Sequence, residues 1–152
     1  MSTKAEKPKK WKYDELSRLY ANTENQQLGK RLMEVLNLAK EKGSLIKSEN
    51  YYPSFGLRGK FGKRIMSFWS PEKHHCSPPG SVHLFINPKR YTNTKERDNL
   101  LEKLNKLLYF SDDLYKLNLG KTSGKSLADL TEVEFSTFIK ILEIYSFDRY
   151  TE

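Results

Sequence analysis

The hydrophobic positions along this chain change their spacing twice, from a helical pattern to a strand pattern and back. A short helix is predicted over residues 12–20, and a longer one follows it, capped by Thr23 and ended by Gly43. The longer helix has apolar residues at the spacing of a single buried face, namely Leu28, Leu32, Val35, Leu36 and Ala39. The first part of the chain is therefore predicted to be helical.

Beyond the second helix the apolar residues alternate with polar ones, which is typical of strands. Residues 44–47 predict a short strand, and residues 64–69 and 81–87 predict two firmer strands that pair as an antiparallel hairpin. Pro53 argues against a central strand that runs on to Phe55, because proline has no amide hydrogen to donate to a ladder. The middle of the chain is therefore predicted to form a small sheet.

Helical spacing returns in the C-terminal half. A helix is predicted from Thr94 to about Phe110, residues 126–130 can add a short strand, and the last helix begins at a capping box formed by Thr131 and Glu134. The resulting order is α-α-β-β-β-α-(β)-α. It predicts an α+β fold in which N- and C-terminal helices pack on a small, mainly antiparallel sheet of three to four strands.

Length and composition suit one domain. The chain has 152 residues, of which 37% are hydrophobic and 30% charged, and a chain of this size can bury a single core. We expect residues 11–152 to form that domain and residues 1–10 to be a disordered basic arm. The single cysteine, Cys76, leaves no intramolecular disulfide, and no apolar run reaches the roughly 18 residues that span a bilayer. A cytoplasmic protein without membrane contact is expected.

The net charge of +8 is concentrated in two segments. Residues 1–12 carry five lysines and one glutamate, and residues 50–71 carry four basic residues and no acid. Each segment thus contributes +4, while the basic and acidic residues of the remainder cancel. A focused positive potential of this kind attracts polyanions.

The second basic segment also contains aromatic residues and glycines, in the run YYPSFGLRGKFGKRIMSFW over residues 51–69. Single-stranded nucleic-acid surfaces have this mixture, because cations meet phosphates while flat rings stack on bases. The predicted phosphate contacts are Arg58, Lys60, Lys63 and Arg64. The predicted stacking or packing residues are Tyr51, Tyr52 and Phe55. A glycine-rich turn that leads into the sheet is predicted from Gly56, Gly59 and Gly62.

Two classes of partner fit this segment. The leading prediction is a non-catalytic module that binds nucleic acid, of a type and sequence preference that the residues do not specify. The alternative is a protein-interaction or assembly module, in which the same aromatic residues meet an apolar groove and the arginines form its rim. Binding to a polyanion should weaken steeply as salt rises, whereas an aromatic protein interface should change much less.

Motifs of other classes are incomplete. Residues 59–62 resemble the GxxG loop of KH-type nucleic-acid binders, but that loop joins two helices, whereas a strand is predicted after this one. Residues 120–126 lack the first glycine of a Walker A loop, and we predict a mobile loop there whose Lys121 and Lys125 can contact an anion. The histidines and cysteine of residues 74–76 do not have zinc-ligand spacing. No cofactor is expected, and the absence of a complete catalytic arrangement argues against an enzyme.

Overall fold

The computed structural model describes residues 5–58, 64–72, 79–85, 94–108 and 121–146, and the structural statements below concern these residues. The strands within them are β1 (Lys9–Lys10), β2 (Leu45–Lys47), β3 (Glu49–Asn50), β4 (Phe55–Arg58), β5 (Arg64–Phe68), β6 (Ser81–Phe85) and β7 (Lys121–Ser126). The helices are α1 (Tyr13–Ala21), α2 (Gln26–Glu41), α3 (Thr94–Leu108) and α4 (Glu132–Ile141). A 3-10 turn, Leu127–Asp129, precedes α4, and a π-helical turn, Leu142–Ser146, follows it. The predicted α+β class is confirmed.

Helix α2 has the buried face that its apolar spacing predicts, with Leu28, Leu32 and Val35 fully buried. Its cap differs from the prediction. The Asn25 side chain accepts a hydrogen bond from the Leu28 amide at 3.1 Å, whereas the Thr23 hydroxyl donates to a carbonyl of α1. Asparagine and threonine both make good caps, so the position next to the first helical residue decides which of them is used.

The ends of two helices follow the sequence signals closely. At the start of α4, the Thr131 hydroxyl accepts from the Glu134 amide at 3.1 Å, and the Glu134 carboxylate accepts from the Thr131 amide at 2.8 Å. This reciprocal pair is the predicted capping box, and it satisfies two amides that lack partners within the helix. After α2, Gly43 has a φ of +68°, a backbone conformation that glycine adopts without strain.

The main sheet has five strands in the order β2-β4-β5-β6-β7, and each neighbouring pair is antiparallel. The predicted pairing of β5 with β6 is confirmed. The interior strand β4 begins two residues after Pro53, so the strand keeps all its amide hydrogens, and it includes Gly56, which was predicted to lie in a turn. Strand β7 occupies residues 121–126 of the predicted mobile loop, whose residue 120 lies outside the described residues. The predicted strand of residues 126–130 is mostly the 3-10 turn.

The core lies between one face of this sheet and the helices. Phe55 and Phe68 are cross-strand partners on β4 and β5, and their rings stack with centroids 5.0 Å apart. Tyr20 of α1 approaches Phe55 at 6.4 Å, and Phe138 of α4 approaches Phe68 at 6.2 Å. One ring from an N-terminal helix and one from a C-terminal helix thus meet the stacked pair on the central strands, where aromatic packing adds to the burial of apolar area.

A buried arginine joins α2 to the segment that leads into α4. Arg31 is only 5% exposed, and its Nη1 donates to the carbonyls of Leu127 and Leu130 at 2.7 and 2.6 Å. Its guanidinium also lies 5.1 Å from the centroid of the Phe135 ring. These contacts provide charge-assisted hydrogen bonds to two carbonyls of buried residues in and after the 3-10 turn.

The N-terminal segment is ordered where the structure describes it. Lys9 and Lys10 pair antiparallel with Asn50 and Glu49, and the buried Trp11 donates from Nε1 to the Asn50 carbonyl at 3.0 Å. Residues 9–10, which the sequence assigns to a disordered arm, thus form strand β1 beside the buried Trp11, while residues 1–4 lie outside the described residues. The residues that pair with Lys9 and Lys10 belong to β3, some forty positions later, so no local pattern near the N-terminus indicates this strand.

Candidate nucleic-acid interface

The aromatic residues of the predicted site do not form one surface. Phe55 has no exposed area and stacks on Phe68 inside the core. It packs and cannot stack on a base in this conformation, so Phe55 is removed from the candidate interface. Tyr52 is half-buried, and Tyr51 is 42% exposed in the segment that follows β3. Tyr51 is thus the predicted aromatic residue with the most surface for a partner.

The two arginines of the predicted site do come together. Leu57 pairs with Met66, and the next residue of β4, Arg58, pairs with Arg64. One step along β4 therefore corresponds to two steps along β5, which is a register shift of one residue. An unbroken ladder would set Ile65 opposite Arg58, and Arg64 would then belong to the other face of the sheet. The shift is what makes the two arginines cross-strand partners.

Arg58 lies at an exposed end of its strand. Its amide donates to the Ser44 carbonyl at 2.7 Å, which extends the ladder between β2 and β4 by one hydrogen bond. Its side chain is exposed, and within the described part of the chain no carboxylate pairs with its guanidinium. Lys42, which is also exposed, lies two residues before Ser44. Two described cations therefore flank the start of β2 and the end of β4.

Lys60 and Lys63 lie outside the described residues. They belong to residues 59–63, which connect β4 to β5 between the paired arginines. Their assignment as phosphate contacts stays a prediction from the sequence. The described part of the candidate interface consists of Arg58, the last residue of β4, and Arg64, the first residue of β5. We call the end of the main sheet where these strand ends lie the arginine end.

The tyrosines lie beyond the opposite end of β4. Strand β4 starts at Phe55 and ends at Arg58, a distance of about 10 Å at 3.4 Å per residue. Tyr51 precedes Phe55 by four residues, and its carbonyl accepts from the Ala5 amide at 2.8 Å. The predicted basic and aromatic surface is thus divided: its cations are at the arginine end, and Tyr51 borders the N-terminal strand.

A carboxylate partly neutralises one of the two lysines of the N-terminal strand. Lys9 forms an ion pair with Glu15 and lies 4.6 Å from the centroid of the Trp11 ring. The hydrogen bond from Lys9, followed by that from the Lys12 amide, lowers the pKa of Glu15 below its ordinary value. Lys10 is opposite Glu49 across β1 and β3. The charge of Lys9 is therefore partly offset within the N-terminal segment, which lowers the free positive charge of that segment.

Other kinds of site find little support in the described ranges. No three His, Cys, Asp or Glu residues of those ranges come together as a metal site, and residues 74–76 lie outside them. Among the helices that the structure describes, none has the length and apolar character needed to cross a membrane. Comparison with protein-family models, curated proteins and solved structures finds no match to this chain. The proposal of a function therefore rests on the fold and the arginine end alone.

Proposed function

We propose that this protein binds nucleic acid through the arginine end of its main sheet. The observation that carries the proposal is the register shift that pairs Arg58 with Arg64. Like charges directly opposite each other on neighbouring strands destabilise a sheet. A polyanion at this end of the sheet would offset that repulsion, and the planar guanidinium of arginine matches the geometry of a phosphate group.

No carboxylate partner of Arg58 lies among the residues that the structure describes, and this supports the same function. Arg58 is exposed and has no carboxylate partner within the described residues, in contrast to Lys9, whose charge Glu15 offsets. A cation that is already paired must lose its partner before it can bind a phosphate, whereas no described carboxylate would have to leave Arg58. Lys60 and Lys63 belong to the same proposal through their positions in the sequence between the two arginines.

The mode of binding that fits best is recognition of the phosphate backbone. Phe55 is in the core and Tyr51 is on the far side of β4, so base stacking contributes little beside the arginines. Contacts to phosphates fix position without reading bases. We therefore expect weak sequence preference and a strong dependence on salt.

The test is fluorescence anisotropy of short labelled single- and double-stranded DNA and RNA, titrated with the full chain at several salt concentrations. Each phosphate contact contributes about 0.7 to 0.9 to the slope of log affinity against log salt, so Arg58→Gln with Arg64→Gln should flatten that slope by about 1.4 to 1.8. Each substitution should also weaken binding roughly tenfold, because a contact of about 1.5 kcal/mol corresponds to that factor.

Lys47→Gln provides the matched control, because Lys47 is an exposed cation at the opposite end of β2. Its affinity and salt slope should equal those of the unmodified protein. Absence of binding at low salt, or an equal loss in the control and the arginine variants, would refute the proposal. Binding to a protein partner that barely responds to salt would instead support the alternative interaction module, which Tyr51 is the best placed aromatic residue to serve.

A further inference from the structure

The edge strand β7 brings another lysine to the arginine end, from a distant part of the sequence. Lys121 pairs with Phe85, and the preceding residue of β6, Leu84, pairs with Met66 of β5. Met66 in turn pairs with Leu57, the neighbour of Arg58. Leu57, Met66 and Leu84 therefore form a row across three strands. Lys121 lies one residue beyond that row, at the same end of the sheet as Arg58. Arg58, Arg64 and Lys121 are therefore terminal residues of three strands at the same end of the sheet.

The opposite end of the sheet has a mixed charge. Lys47 ends β2 there, but Glu49 follows it two residues later and is exposed. Strand β7 also ends there, with Lys125 next to the pair of Ser126 and Ser81, and the exposed Asp129 follows. Cations at that end are therefore accompanied by carboxylates, which weakens the attraction of a polyanion.

We propose that the bound nucleic-acid backbone lies across the strand ends, from Arg58 on β4 to Lys121 on β7, so that Lys121 is a further phosphate contact. This inference rests on the proposed function. Three spacings of about 4.8 Å separate β4 from β7, which gives a span of about 14 Å. Phosphates along one strand of a duplex rise by about 3.4 Å each, so the span corresponds to about four nucleotides.

The register also distinguishes two lysines that the sequence treats alike. Lys121 and Lys125 both lie in the run that lacks the first glycine of a Walker A loop. They are four residues apart on one strand, which separates their Cα atoms by about 13 Å. Only Lys121 is at the arginine end. Both residues are lysines on β7, the outermost strand of the sheet, so Lys125 is a matched control for Lys121.

The experiment compares Lys121→Gln with Lys125→Gln in the full chain, using labelled single-stranded DNA and a salt series. We expect Lys121→Gln to weaken binding roughly three- to tenfold and to flatten the salt slope by about 0.7, while Lys125→Gln leaves both unchanged. Thermal melts of both variants establish that each is folded.

The outcomes separate this inference from the function on which it rests. If the arginine substitutions abolish binding but Lys121→Gln does not change it, the nucleic-acid function stands and the extension across the sheet is overturned. Equal losses for Lys121→Gln and Lys125→Gln also overturn the extension, because they indicate a response to net charge alone. Binding to anionic lipid vesicles but to no oligonucleotide would overturn both proposals.

Discussion

The contact between α2 and the 3-10 turn makes Arg31 the position where one substitution should destabilise the fold most informatively. The guanidinium donates from one nitrogen to two carbonyls, at 2.7 Å to Leu127 and 2.6 Å to Leu130. Both carbonyls belong to residues that are themselves buried. Arg31→Ala would leave them without this donor, and their desolvation would no longer be compensated.

The expected loss of stability follows from these contacts. A hydrogen bond to a charged group contributes about 1.5 to 3 kcal/mol, and the contact with the Phe135 ring adds about 0.5 to 2 kcal/mol. Part of this sum is offset, because the unfolded state hydrates the guanidinium that the folded state buries. We expect Arg31→Ala to lower the free energy of unfolding by about 3 to 5 kcal/mol, and Arg31→Lys by about half as much, since an ammonium retains the charge but not the planar fork.

Urea denaturation followed by tryptophan fluorescence measures the change, with Lys30→Ala as the control. Lys30 is the neighbouring residue of α2 and is exposed, so its substitution should change stability by less than about 0.5 kcal/mol. If Arg31→Ala costs less than about 1 kcal/mol, or if Arg31→Met stabilises the protein, the reasoning is refuted. Either result would mean that the burial of the guanidinium costs as much as its hydrogen bonds contribute.

Two further predictions concern the comparison of Phe55 with Tyr51 and the ion pair of Glu15 with Lys9. Phe55→Ala should destabilise the fold by about 3 to 5 kcal/mol in the same assay, while Tyr51→Ala should have little effect; comparable losses would contradict the assignment of Phe55 alone to the core. The lowered pKa of Glu15 means that the folded carboxyl stays ionised to a lower pH than the unfolded one. Its contribution is therefore present above the ordinary pKa of 4.5 and is lost as pH falls below it. Subtracting the urea stability of Glu15→Gln from that of the unmodified protein at each pH should give a difference of about 0.2 to 1 kcal/mol at neutral pH that disappears in acid; a constant difference would contradict this.

The helices of this protein were predictable because their signals are local. The spacing of Leu28, Leu32 and Val35 reports a single buried face, and the capping box of Thr131 and Glu134 needs only four consecutive residues. Helical hydrogen bonds join residues close in sequence, so a short window contains most of the determinants. The exception is the cap of α2, where two residues with the same chemistry compete within three positions.

The strands were less predictable because their partners are distant. Strand β7 contains Lys, Thr, Ser and Gly and has no alternation of apolar and polar residues. Its conformation is stabilised by a ladder with β6, whose residues lie some forty positions earlier. Strand β4 was obscured in another way: Pro53 forbids a ladder hydrogen bond only at its own position, and the strand begins just beyond it.

In the candidate site, composition identifies the basic residues, but only the strand register determines which of them lie together. The sequence grouped Arg58 and Arg64 with two lysines as nearby cations. The two arginines are six positions apart, however, and an unbroken ladder between Leu57 and Met66 would leave them on different faces. The shift of one residue is a property of two strands together and has no signature in either. The same holds for Lys121, whose distance from the arginines is set by three ladders in succession. Charge counting can therefore find a basic segment, but only the strand register decides which of its cations form a surface.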